Sequence, residues 1–553
     1  MSSNESTPVP TPADTSASGS IALAPATEAD PGQTVQSPRL ARSAGAFGAM
    51  TLLSRIAGFA RDVLQAQLFG AGVATDAFTI AYRIPNYLRR IFAEGSFAMA
   101  FVPVFNEIKQ RGDEAALKDF LDHVAGALCA VVLLISGLGM LAAPLIVAVV
   151  APGALDQPAK FALTAEMLRI VFPYLFFISL TALAGAVLNS LQRFALPAFT
   201  PVLHNLAVIA AMLLLAGKLE VPAKALAWGV FAAGIAQFLL LWPSLARHRL
   251  LPRLRFNLGH PGVRRVGKLM LPTLFSSSVA QINLIIGTAF ASLLVAGSQT
   301  WLWYSDRLVE FPLGLFGVAI GTVILPHLSR RSAAADNLGY SRGIDWGLRM
   351  ILLVGLPAAL GLALLAEPMA VVIFQRGAFT AEDARMTALA LTAMSLGVPG
   401  FMLSKVLAPA FYSRQDTKTP MRAALWTVAI NVGLTVAIVT PLWWQGVPGA
   451  HAGIALATAM AGLCNAALLW RALRREAGFS LQPGWPVFFV RVIAGLLLMA
   501  VLVAWLRGQI GDFVGYPEWQ RWLLLAGVVA LGGLAYALGL LLTGLRPRHL
   551  RHA

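Results

Sequence analysis

The stretch Ser54-Arg55-Ile56-Ala57-Gly58-Phe59-Ala60-Arg61-Asp62 lies inside an apolar run from about Ala44 to Phe69. A guanidinium keeps its charge at any biological pH. Placing one in hydrocarbon costs at least roughly 2.5–3.5 kcal/mol on insertion scales. A membrane helix that carries two must turn them toward partners, water or an anionic ligand. The chain therefore reads as a membrane protein whose interior is built to hold negative charge.

Composition supports that class. The 553 residues are 58% hydrophobic and only 12% charged, more apolar surface than a soluble chain of this length can cover. The formal net charge is +16, but the basic residues sit mostly in short segments between apolar runs. There they fix orientation and meet anionic headgroups. No basic patch with interleaved aromatics is present, so nucleic acid is not an expected partner. Cys129 and Cys464 are the only cysteines, each within an apolar run, and read as core residues. The histidines are scattered without ligand spacing, so no metal site is expected. No phosphate-binding loop for nucleotide hydrolysis occurs, which argues against direct ATP drive. Residues 1 to about 38 are Ser, Thr, Pro, Ala and acidic residues, with no Lys or Arg before Arg39, and read as a disordered tail rather than a signal peptide.

Apolar runs long enough to span a bilayer fall near residues 43–69, 76–106, 119–151, 160–190, 196–216, 222–246, 264–296, 300–328, 342–374, 383–412, 418–443, 448–470, 485–506 and 520–543. That makes fourteen. With the N-terminus inside, alternate loops collect the basic residues: Lys109, Arg111 and Lys118, then a dense group from Arg247 to Lys268, then Arg330 and Arg331, Arg414 and Lys418, Arg471 to Arg475, and Arg546 to Arg551. The other loops hold few, among them Lys160, Lys218, Lys224 and Arg376. The alternation obeys the positive-inside rule with both ends cytoplasmic.

An internal repeat is also legible. Ser190, Gln192 and Pro197 recur as Ser413, Gln415 and Pro420, and Pro103 as Pro326, all at a spacing of 223. Ser54 and Ala57 recur as Ser277 and Ala280 at the same spacing, and Gly72 and Thr75 as Gly297 and Thr300 at 225. Six spans separate the copies, so the two halves are parallel repeats, an arrangement of transporters that alternate access to a shared site. The expected fold is an all-α polytopic membrane protein with two six-helix lobes around a central cavity and two further helices. Its expected parts are a tail (1–38), an N-lobe (39–246), a basic cytoplasmic loop (247–268), a C-lobe (269–475) and a C-terminal helix pair with a basic end (476–553). The second copy has Ser278 where the first has Arg55, and Leu284 where it has Arg61. The scaffold thus does not itself need these arginines.

Each charge has a plain reading beside a functional one. Arg55 and Arg61 differ by about 120° around a helix and about 9 Å along it. Arg61 can pair with Asp62 or snorkel, and Gly58 between the arginines admits a close approach. In Tyr82-Arg83-Ile84-Pro85-Asn86-Tyr87-Leu88-Arg89-Arg90, Pro85 weakens the helix, and Glu94 stands four residues after Arg90 as its structural partner. Arg89 is then left for a cavity. Asp76 reads either as a helix-terminus carboxylate or as a site residue. In Asp306-Arg307-Leu308-Val309-Glu310, Arg307 pairs with Glu310 or faces Arg55 and Arg61 across a cavity. Lys405 is a further cation in an apolar segment without an evident partner. Cations outnumber carboxylates in this set, which favours an anionic ligand, and phosphate is the natural match for several guanidiniums.

These strings, together with Phe69-Gly70-Ala71-Gly72 running to Asp76-Ala77-Phe78 and Leu407-Ala408-Pro409 running to Asp416, resemble the MurJ (MviN) lipid II flippases from about Arg42 to the end of the chain. The resemblance implies a bacterial inner-membrane transporter of the multidrug/oligosaccharidyl-lipid/polysaccharide exporter superfamily, not an enzyme. The implied cargo is the undecaprenyl-diphosphate-linked peptidoglycan precursor, hence a role in cell-wall biogenesis and cell shape. It further implies that Arg55, Arg61 and Arg307 are the essential cavity arginines, with Arg89 and Asp76 at other sensitive positions, and that the last two helices form a groove for the lipid tail. Ser54 and Asn86 join the expected substrate-binding set. Asp62, Asp76, Glu94, Gly58, Pro85, Asp306 and Glu310 form the expected structural or gating set. Some members of the family bind sodium through an acidic residue of the seventh helix, where this chain has Gln281 and Asn283.

The expected mechanism is alternating access without a cofactor, with the coupling ion or membrane potential open. Expected partners are the lipid-linked diphosphate oligosaccharide and membrane lipids, the chain being monomeric and an association with cell-wall synthesis machinery open. The alternatives are export of another lipid-linked oligosaccharide, or a cation-coupled drug antiporter on the same scaffold.

Overall fold

The computed structural model describes residues 38–90, 96–475 and 479–545. The expected tail, Glu94, and the basic end from Arg546 onward lie outside the described residues. The first half comprises α1 (Pro38–Phe69), α2 (Val73–Arg89), α3 (Ser96–Gln110), α4 (Glu114–Leu141), α5 (Ala143–Val150), α6 (Pro158–Val171), α7 (Pro173–Ser190), α8 (Ala195–Leu215) and α9 (Lys224–Arg247). The second comprises α10 (Pro261–Ser292), α11 (Ser298–Pro312), α12 (Val318–Ala333), α13 (Asn337–Leu364), α14 (Ala366–Phe374), α15 (Ala381–Ser395), α16 (Val398–Tyr412), α17 (Lys418–Trp444) and α18 (His451–Arg475). Then follow α19 (Trp485–Ile510) and α20 (Glu518–Leu542).

Each expected span coincides with one helix or a broken pair. By length and apolar composition ten described spans can cross a membrane, and eleven if α15 and α16, bent by 41°, count as one. The other three expected segments are α1, α2–α3 and α10, also helical, and the first two carry the charged motifs that lower their apolar content. Together these are consistent with fourteen spans. Several breaks follow proline, which removes a ladder donor and clashes with the preceding turn. Pro144 follows the α4–α5 break, Pro173 opens α7, and Pro399 lies in the first turn of α16. Pro312 ends α11 before a π-helical turn, Leu313–Gly317, that leads into α12. α10 begins at Pro261, three residues ahead of the expected span 264–296 and inside the expected basic loop, because the His260 side chain accepts from Gly262 N–H and Pro261 suits the first helical position.

Two large apolar cores divide the molecule. One gathers side chains of α2 and α5–α9, such as Ile80, Phe172 and Leu226, and the other those of α11–α18, such as Tyr304, Phe374 and Phe411. The repeat survives in backbone detail. Gln192 and Gln415 both adopt left-handed φ, 59° and 61°. Each is followed by an N–H that reaches back to close the preceding helix, Arg193 to Leu188 O at 2.8 Å and Asp416 to Phe411 O at 3.1 Å. α19 and α20 pack on each other and against α13 and α14 through Val492, Met499 and Tyr536.

The halves are zipped at the end opposite the basic loops. Ala378 N–H donates to Gln67 O at 2.8 Å, and Gly153 N–H to Ser292 Oγ at 3.1 Å. Gly70 and Gly377, both left-handed, permit this approach, since a Cβ on either would strike backbone of the other strand of chain. Nearby, Thr380 caps α15 in a reciprocal box with Asp383, whose other oxygen accepts from Trp301 Nε1 at 2.9 Å. Asp383→Ala loses the bonds from Thr380 N–H, Thr380 Oγ1 and Trp301 Nε1, and thermal unfolding in detergent should register a loss of about 1–2 kcal/mol. Thr380→Ser, which keeps the cap, should stay close to the parent.

Candidate functional site

α1 runs along the seam between the halves, and its charged segment faces α8 on one side and α11 on the other. Ser54, Arg55, Arg61, Asp62, Arg307 and Glu310 line one cavity of about 240 Å³ between them. Asp62 joins its two walls. Arg61 holds it from the same helix at 2.6 Å, and Arg307 of α11 approaches its other oxygen at 3.5 Å. Arg307 also pairs with Glu310 at 2.9 Å and lies over the Trp303 ring at 4.6 Å. The plain and functional readings of Arg61 and Arg307 therefore both describe the geometry: each has a local carboxylate, and each lines the shared cavity.

Arg55 differs. It makes no hydrogen bond or ion pair with any described residue and is exposed to the cavity. Its guanidinium lies against Gly314, where an added side chain would strike it. Toward the basic face the space widens to about 740 Å³, bounded by Ser54, Arg55, Asn189, Glu310, Gly314 and Lys405. Over the combined vestibule four cations (Arg55, Arg61, Arg307 and Lys405) face two carboxylates (Asp62 and Glu310), an excess of two positive charges.

Gly58 serves a neighbour. The Asn205 amide of α8 sits 3.3 Å from where a Cβ would be. From there it donates to Ser54 O at 3.1 Å and accepts from Arg61 at 3.0 Å. Sequence reasoning missed Asn205; its one signal was a His204-Asn205 pair inside an otherwise apolar helix. Pro85 lies within α2, which continues through it to Arg89.

The other expected residues disperse. Arg89 hydrogen-bonds Asn86 Oδ1 at 2.9 and 3.1 Å and lines a separate chamber within the first half. Asn86 and Asp306 line a third cavity of about 150 Å³ with Arg83 and Arg90, in contact with Asn283 and Asn431. Arg83, not singled out from sequence, crosses to the second half and donates to Thr288 and Gln299, both at 2.9 Å. Asp306 makes no hydrogen bond or ion pair with a described residue, although arginines share its cavity.

Asp76 is fully buried at the closed end, far along α2 from Arg89. It lies in the first turn of its own helix but caps another. Its oxygens accept from Gly297 N–H, Thr300 N–H and Thr300 Oγ1 at 2.8–3.0 Å, the orphan donors at the start of α11. Lys160 of α6, 1% exposed, stands 3.5 Å away and balances its charge. The repeat-related position is capped locally, by Thr75 on Gly72.

The family profile described as "Lipid II flippase MurJ" matches residues 65–519. A Vibrio cholerae protein, "Probable lipid II flippase MurJ", is 42% identical over 524 residues, covering 94% of this chain and 98% of its own length. The chain belongs to the MurJ family. A Burkholderia cenocepacia member, "Lipid II flippase MurJ", is 43% identical over 459 residues, covering 82% of this chain and 88% of its own. Among solved structures, "Lipid II flippase MurJ, inward closed conformation" is 26% identical with a TM-score of 0.74, covering 89% of this chain and 97% of that one. A multidrug resistance MATE family transporter of the MOP superfamily, in an inward-facing conformation, shares the fold at 12% identity and a TM-score of 0.63, over 78% of this chain and 98% of its own. As a member of this family the chain is a multi-pass membrane transporter rather than an enzyme.

Three outcomes test this geometry. Asp62→Ala leaves the buried Arg61 guanidinium with Asn205 but no carboxylate, while Arg307 keeps Glu310, and should lower stability by about 3 kcal/mol in detergent unfolding. The double change with Arg61→Ala should recover part of that loss. Asp76→Ala should loosen the closed end, read as faster labelling of a cysteine placed at Ser298.

Proposed function

We propose that this chain moves lipid II, the diphosphate-linked peptidoglycan precursor, from the cytoplasmic to the periplasmic leaflet of the bacterial inner membrane by alternating access. The observation that carries the reading is the excess of two positive charges in a vestibule that opens toward the basic face and is zipped at the other. By the positive-inside rule that open face is cytoplasmic, with both termini on the same side.

In this mechanism the diphosphate enters through the wide part of the vestibule and settles on Arg55, the one arginine of the three with no protein partner among the described residues. It then competes with Asp62 and Glu310 for Arg61 and Arg307. Because Asp62 ties α1 to α11 through those guanidiniums, a phosphate that displaces it weakens a tie between the halves. Charge-assisted contacts between guanidinium and phosphate are strong enough to make that exchange. Opening the far end requires the Asp76 cap on α11 to release. Arg89 and Asn86 act from the flanking chambers. The polyprenyl tail stays in lipid, and an apolar crevice of about 410 Å³ bounded by Leu352, Leu407, Trp470, Trp485 and Phe489 offers it a wall beside α19.

Carrying two negative charges outward across an inside-negative membrane gains about 4–5 kcal/mol per 100 mV, so the potential supplies a drive without ATP. The chain works as a monomer in this scheme, since one copy supplies every named contact.

In cells depleted of the parental protein, Arg55→Ala and Arg307→Ala should each leave precursor in the inner leaflet, measured by protease or mass-tag access to lipid II from outside. Persisting translocation in either variant defeats the clamp. Cysteines at Gly217 and Gly446 should label from the periplasm and one at Gly112 only after permeabilisation; the reverse pattern would overturn the orientation.

A further inference from the structure

A second chamber opens off the vestibule inside the first half, walled by α2, α7, α8 and α9 and measuring about 380 Å³. It shares Asn189, Pro197 and Pro201 with the wide vestibule and Asn205 with the arginine cavity. Its volume falls within the range of small-molecule sites, about 300–1,000 Å³. Among the described residues Arg89 is the only charged one in its wall, and none of them brings a carboxylate to it.

The polar groups around it are incompletely used. His204 is 8% exposed, and neither ring nitrogen meets a protein partner among the described residues. Its ring lies between those of Tyr82 and Tyr174, at centroid distances of 6.4 and 5.6 Å. Gln237, 3% exposed, donates through Nε2 to Thr200 O at 2.8 Å, and its Oε1 has no donor among the described residues. A buried polar group left unmade costs about 1–3 kcal/mol, so a site that keeps three such atoms is suited to an occupant that supplies their partners.

The wall chemistry selects among the parts of a lipid-linked headgroup. An acyl chain would leave the His204 imidazole and Gln237 Oε1 unsatisfied. An ammonium group would need a carboxylate, which none of the described residues brings to this wall. A peptide carboxylate would have Arg89 alone, whose guanidinium is already engaged by Asn86. A neutral sugar fits on each count: hydroxyl and acetamido donors for Gln237 Oε1 and the imidazole, and an apolar ring face for the tyrosines. Position agrees with chemistry, because Asn205 is at once a wall of this chamber and the hydrogen-bond partner of Arg61.

Resting on the transport reading above, we propose that this chamber is the sugar subsite: it seats the saccharide next to the diphosphate while the arginines hold the phosphates. The test compares two lipids on the full chain in nanodiscs, undecaprenyl diphosphate carrying N-acetylated sugar without peptide, and undecaprenyl diphosphate itself. The parent should bind the sugar-bearing lipid about tenfold or more tightly than undecaprenyl diphosphate, a difference of about 1.4 kcal/mol. Gln237→Leu, close in size, and the chamber-filling Ala182→Phe should each abolish that preference while leaving affinity for undecaprenyl diphosphate at the parental value. Arg55→Ala should weaken both lipids together. If both chamber variants keep the preference, or weaken the two lipids equally, the subsite is wrong while the transport reading stands. If Ala182→Phe does not fold, Gln237→Leu decides alone. Binding of neither lipid by the parent overturns the transport reading and the subsite with it.

Discussion

The Asp62 carboxylate, held between Arg61 of its own helix and Arg307 across the seam, is the contact on which the rest of the site depends. Two guanidiniums facing each other across this seam, that of Arg61 buried, repel. One shared carboxylate turns that repulsion into a bridge between α1 and α11. In the proposed mechanism the bridge is open to exchange, since a diphosphate offers the same guanidiniums more oxygens and more charge.

The two ends of the molecule are built differently around that triad. At the closed end the halves meet through backbone and fully buried polar contacts, with Asp76 satisfying the first turn of α11 and Lys160 balancing Asp76. Those contacts use positions that the repeat supplies in both halves, Gly72 and Thr75 in one and Gly297 and Thr300 in the other. At the basic end the vestibule is wide, and Arg55 and Lys405 face it without ion partners among the described residues. In the proposed mechanism this posture presents unneutralised cations on the side from which the anionic cargo comes.

The helical scaffold was largely legible beforehand, because bilayer thickness imposes the length of each apolar run and the basic loops impose alternation. The breaks at Pro144, Pro173 and Pro399 show why a run need not be one helix. The arginine motif was legible for the opposite reason, since it violates the apolar pattern. Its companions were less so. Arg89 lines the chamber inside the first half, and Asn86 and Asp306 line a cavity that shares Arg307 and Glu310 with the arginine cavity. Gly58 looked like room for a ligand, and the room is filled by Asn205, a residue 147 positions away in the chain.

Composition, periodicity and charge placement by themselves determined an all-helical membrane protein with a duplicated scaffold and cations that the duplication does not require. They could do so because hydrophobic burial and charge desolvation act on each segment separately. Which carboxylate neutralises which arginine, that Asp76 caps a helix of the other half, and that Asn205 stands between two cavities were decided only by the tertiary structure. Those outcomes depend on approaches of about 3 Å between segments 144 to 245 residues apart, where a few degrees of helix rotation select the partner.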